Sequence, residues 1–109
     1  MCKYAYCGRM SDAELQELAN LLKALGEFNR LSLVYRLCQC QTPQNVMCLC
    51  DCCDVDTSVV SRHLKVLTQE GVVSVEKDGR QRNYSLNRSY LAGRLRDLAD
   101  KVEFEKEKS

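Results

Sequence analysis

The chain has one histidine and one proline among its 109 residues. A lone histidine with no evident nucleophile beside it offers no acyl-transfer pair, and no glycine-rich phosphate loop occurs, so an enzyme is not expected. Met1, Met10 and Met47 form no cluster, which argues against a copper(I) thioether site. No apolar run approaches the ~18 residues that cross a bilayer. The opening stretch MCKYAYCGRM lacks an apolar h-region, so a cytoplasmic location without a membrane partner is the expectation. Repeats and a second domain are missing too, and the length suits one modest core.

Cysteine, by contrast, is abundant. Eight are present, and four of them, Cys48, Cys50, Cys52 and Cys53, crowd into MCLCDCCD at residues 47–54. In a reducing compartment clustered thiols bind metals or do redox chemistry more often than they form disulfides. Hydrophobic residues at 45% and charged residues at 28% supply an ordinary globular core without covalent staples. The net charge of +1 hides an uneven distribution: residues 57–96 hold eight Lys/Arg against three Asp/Glu, between flanks that are each net acidic. A basic stretch between acidic flanks fits a surface that faces a polyanion.

Ser11 and Glu14 have the spacing of a capping box and open a helix carrying Leu15, Leu18, Leu22 and Leu25 on one side. Gly26 loosens it, and EFNRLSLVYRLCQC starts a second helix. QTPQN is the next break, since Pro43 disfavours helix at Thr42. VMCLCDCC is a short third element, after which Asp54, Asp56 and Thr57 are N-cap candidates for a helix over 57–70 closed by Gly71. The period then changes to two β-rich runs around Asp78-Gly79, a hairpin signal because a primed turn needs positive φ. SYLAGRLRDLADKV returns to helix, with Leu91, Leu95, Leu98 and Val102 in a narrow stripe suited to pairing with another helix. Residues 1–10 read as a flexible cysteine-bearing arm, 11–103 as the folded unit and 104–109 as a frayed tail.

Two short helices followed by a hairpin make a winged helix-turn-helix plan, mainly α with a β-hairpin wing in the order ααααββα. On the fourth helix Val60, Leu64 and Leu67 define a buried side. Ser58, Arg62, Lys65 and Gln69 lie about 140° to 200° away, with Ser61 near 100°, as a helix entering a major groove requires. Lys77, Arg80 and Arg82 cluster at the hairpin tip, where they can hold phosphates. His63 borders the core side of its helix, with packing or capping, a phosphate contact among the DNA-binding residues, or a metal-ligand role open to it.

The stretches LKALGEFNRLSLVYRL and VMCLCDCCDVDTSVVSRHLKVLTQEGVVSVEKDGRQRNYSL resemble the ArsR/SmtB family of small metal-sensing repressors, over roughly residues 19–98. The resemblance implies a homodimer joined through the first and last helices, with Leu15, Leu18, Leu91, Leu95 and Leu98 at the contact. It also implies binding to operator DNA and release when an inducer binds. Within the family, arsenical-resistance repressors carry a C-x-C-x-x-C signature, which CLCDCC matches at Cys48, Cys50 and Cys53. Three thiolates suit trivalent arsenic or antimony, and their softness also admits cadmium, lead or mercury. No organic cofactor is implied.

Five further cysteines depart from that simple pattern. Related cadmium- and lead-responsive repressors use N-terminal cysteines, so Cys7 or Cys2 could join or replace Cys53. Cys38 reads as a small apolar filler, with a second soft-ion site or a redox couple with Cys40 as the alternative. Cys52 is extra to the signature and reads as a small apolar filler. Thiol oxidation or persulfidation as the switch, and metal buffering without DNA, are the competing functions. The His/Asp/Glu site that other members carry on the last helix has no histidine here. On an ideal helix Cys48 and Cys50 point 200° apart, so a shared ion needs non-helical backbone at the third element.

Overall fold

A computed structural model describes residues 10–50 and 56–108, with side chains to 104. Cys2, Cys7, Cys52, Cys53 and the cap candidate Asp54 lie outside the described residues. The elements are α1 (Asp12–Leu25), α2 (Phe28–Cys38), α3 (Val46–Cys50), α4 (Thr57–Gln69), β1 (Val73–Asp78), β2 (Gln81–Leu86) and α5 (Arg88–Lys108). This order is a winged helix-turn-helix: α3 and α4 form the helix pair, and the antiparallel β1–β2 hairpin is the wing.

Local chemistry sets most boundaries. At α1 the Glu14 amide donates to Ser11 Oγ at 3.1 Å, and the Ser11 amide donates to Glu14 Oε1 at 2.8 Å. The bond from the Ser11 amide, with a smaller contribution from the Ser11 side chain, holds the Glu14 carboxyl below its ordinary range. Asp56 is the N-cap of α4, its side chain accepting from the Val59 amide. Gly71, at φ 80, turns the chain out of α4 into β1. In the wing, Asp78 pairs with Gln81, so the two-residue turn is Gly79-Arg80 rather than Asp78-Gly79. Only Gly79 takes positive φ there, at 66, the pattern of a II′ turn with glycine first.

One core gathers all five helices and the wing. Leu33, Leu49, Val60, Leu64, Leu67 and Val72 are fully buried, with Leu18, Leu37, Tyr84 and Leu91 around them. The buried side of α1 is Leu18, Leu21 and Ala24, which leaves Leu15 and Leu22 exposed on the neighbouring edge. Of the leucines expected at a dimer contact, Leu18 and Leu91 therefore belong to the subunit's own core, and Leu98 packs against it. Leu15 and Leu95 are exposed at 51% and 38%. Cys38 corrects the sequence reading: it is exposed, not a core filler. It sits about 140° around α2 from Leu33, outside the arc of Leu33, Val34 and Leu37. Cys40 is half-buried, its thiol donating to the Arg36 carbonyl at 3.3 Å.

Two connections had no local signal. The QTPQN break is also a sheet edge, where the Gln44 and Tyr84 backbones exchange hydrogen bonds at 2.8 Å each. Arg88, opening α5, donates to the carbonyls of Leu37, Cys38 and Cys40 at 3.1, 3.3 and 2.7 Å. A cation thereby satisfies the end of α2 and complements its dipole. The helical backbone of α5 continues to Lys108, through the segment expected to fray.

Leu64→Ala should cost about 2–5 kcal/mol in urea unfolding, whereas Arg62→Ala should stay within about 0.5 kcal/mol. The depressed Glu14 carboxyl stabilises the fold above its ordinary titration range and loses that contribution as pH falls through its folded value. The destabilisation caused by Glu14→Gln, read from thermal melts, should therefore be larger at pH 7 than at pH 3.

Candidate nucleic-acid interface and its neighbouring thiols

Burial of Val60, Leu64 and Leu67 fixes which side of α4 faces outward. The exposed side meets the wing across an open groove of about 480 Å³. Arg62 and Lys65 line it from α4, Lys77 from β1 and Arg82 from β2, with Ser61 and Gln69 between them. Tyr84 forms part of its lining from the core side. All four cations are exposed, and none is in an ion pair with a described residue.

The register sharpens the electrostatics. Lys77 stands directly opposite Arg82 on the two strands. Like charges placed directly opposite each other destabilise a sheet. With Arg62 and Lys65 across the groove, four positive groups face one volume with no carboxylate among its lining residues. Such an arrangement is stabilised by an anion with spaced charges, as a phosphodiester backbone provides.

The other expected contacts distribute around this groove. Arg80 is exposed in the wing turn. Ser58 is exposed in the first turn of α4, its hydroxyl donating to Asp56 Oδ1 at 3.1 Å, so it shares in the cap. His63 does not join the groove. Its Nδ1 accepts from Arg30 Nε at 3.3 Å, and its Nε2 lies 3.8 Å from Glu27 Oε1. The sequence reading assigned no role to Arg30, which is 33 positions away.

The thiols sit one element upstream. Val46–Cys50 is regular helix, begun by Asn45, whose Oδ1 accepts from the Cys48 amide at 3.0 Å. Leu49, between the two cysteines, is fully buried in the core. Cys48 is exposed, while Cys50 is half-buried and packs against the core. The two thiols thus diverge, as a regular helix demands. Among the described residues no group of three or more His, Cys, Asp or Glu side chains could hold an ion. The remaining candidates, Cys53, Cys7 and Cys2, fall outside those residues.

Residues 29–75 match the family model described as bacterial regulatory protein, arsR family. The chain is 32% identical over 84 residues to the arsenical resistance operon repressor of Bacillus subtilis (strain 168), covering 74% of this chain and 76% of that protein. Among solved structures, a possible transcriptional regulator for arsenical resistance superposes with a TM-score of 0.66 at 37% identity, over 77% of this chain and 84% of that one. An ArsR-like transcriptional regulator from Rhodococcus sp. RHA1 superposes with a TM-score of 0.73 at 24% identity, over 88% of each chain, and shares the fold.

Relieving the Lys77–Arg82 opposition separates the groove's two effects. Arg82→Gln should raise thermal stability slightly at low salt while weakening binding to a mixed-sequence DNA duplex, and added salt should shrink the stability gain.

Proposed function

Because the chain belongs to the arsR family of bacterial regulatory proteins, we propose that it is a homodimeric transcriptional repressor. It holds operator DNA until its cysteine thiolates capture trivalent arsenic or antimony. The observation that carries the DNA-binding part is the four-cation groove, with Lys77 held opposite Arg82. Ser58, Ser61, Arg62 and Lys65 address the major groove, and Lys77, Arg80 and Arg82 hold the strand backbone. The dimer contact uses the exposed leucine edge of α1, Leu15 and Leu22, with Leu95 and Val102 of α5.

Cys48 and Cys50 supply two sulfur ligands, and Cys53 or an arm cysteine, Cys7 or Cys2, supplies the third. The donor set is soft, and arsenic or antimony is favoured over cadmium, lead or mercury by the likeness to the Bacillus subtilis repressor. When bound, such an ion supplies strong thiolate bonds. Bringing both sulfurs to one point unwinds α3, because its regular form holds them apart. Unwinding lifts Leu49 out of the core it shares with Leu64 and Leu67, and α4 loses its seat. Moving a population from 1:99 to 99:1 takes about 5.5 kcal/mol of differential affinity. Several metal–thiolate bonds reach that figure, whereas a surface ion pair at about 0–1 kcal/mol does not.

The test uses a duplex enriched by the chain from a random-sequence pool. Arsenite added to the complex, with thiols kept reduced, should release the DNA, and Cys48→Ser should abolish the response. Comparing Cys53→Ser with Cys7→Ser identifies the third ligand. Release by peroxide under metal exclusion, with no response to arsenite, makes the switch thiol oxidation instead. In the same assay Arg62→Ala should lower the slope of log affinity against log salt by about 1.

A further inference from the structure

His63 occupies the recognition helix but faces away from the groove, and its contacts join three helices. Arg30 lies at the centre of them. Its backbone amide donates to Glu27 Oε1 at 2.9 Å, which is the N-cap of α2. Its Nη1 donates to the Ala24 carbonyl in the last turn of α1 at 3.3 Å, and its Nε donates to His63 Nδ1 at 3.3 Å. The Glu27 carboxylate completes the ring, 3.8 Å from His63 Nε2. The His63 side chain is only 16% exposed, so these partners replace most of its water.

We infer that Arg30 and His63 are positioning residues for DNA binding: the guanidinium, anchored on α1 and α2, fixes the rotation of α4 about its axis through the imidazole. The inference rests on the DNA-binding reading above. Apolar packing of Val60, Leu64 and Leu67 sets the buried side of α4, but such contacts are non-directional and tolerate small rotations. A hydrogen bond from a guanidinium that is also held on the Ala24 carbonyl does not. His63 lies about 100° around α4 from Arg62, and about 160° from Lys65. A lever on one side of the helix therefore sets where the cations on the other side emerge. The geometry also fixes the chemistry of the contact. Nδ1 must carry a lone pair to accept from Arg30, so the imidazole holds its proton on Nε2, towards Glu27.

Substitution at His63 separates positioning from bulk stability. Asparagine places Oδ1 where the imidazole carries Nδ1 and keeps the acceptor, whereas leucine keeps the packing and removes it. On the duplex enriched by the wild-type chain, His63→Leu should lower affinity about tenfold, and His63→Asn should stay within about threefold, with both melting close to wild type. Because the chain has a single histidine, selective ¹⁵N labelling gives one imidazole spectrum. It should show a proton on Nε2 and a hydrogen-bonded Nδ1, and Arg30→Gln should shift the Nδ1 resonance, a readout that needs no change at His63. Wild-type affinity in His63→Leu, an equal loss in His63→Asn, or an imidazole spectrum untouched by Arg30→Gln overturns the inference while leaving the DNA-binding reading intact. A wild-type chain that enriches no duplex overturns both.

Discussion

Leu49 has no exposed surface, and it sits between Cys48 and Cys50. That burial is the constraint on which the rest of the molecule depends. It seats the helix Val46–Cys50, whose buried residue is Leu49. It gives the recognition helix its floor, because Leu49 shares one core with Val60, Leu64 and Leu67. It also turns one thiol outward and the other inward.

The same economy governs the DNA-facing side. Nothing in the groove is stabilised internally by its four cations, and the Lys77–Arg82 opposition costs the wing some stability. Proteins carry such strain where a ligand relieves it. The positive groups are spread over α4 and both strands, so their relative placement depends on the core, on the Gln44–Tyr84 bridge and on Gly71 between α4 and β1. A rotation of α4 would separate Arg62 and Lys65 from the wing cations without unfolding anything.

Much of this was readable in the chain. The capping box at Ser11, the Asp56 cap, the turn at Gly71 and the face of α4 each depend on residues within one or two turns, so local spacing reveals them. The hairpin was legible, but its turn slipped by one residue, because Asp78 pairs with Gln81 and only Gly79 needs positive φ. Cys38 was misplaced since its side of α2 could be settled only by knowing what packs there. Arg30–His63 and Arg88 on the end of α2 join residues 33 to 51 positions apart. Ordinary arginines in the sequence carry no mark of such partners.

Amide hydrogen exchange across α3 and α4, with and without one equivalent of arsenite, reads the coupling between thiols and recognition helix most directly. In the free chain the Leu49 amide donates to the Asn45 carbonyl at 3.1 Å and should be protected. Arsenite should abolish that protection and accelerate exchange in α4, while the amides of α1 stay protected. Arsenite bound at the cysteines with the Leu49 amide still slow to exchange would contradict the coupling, however tightly the ion is held.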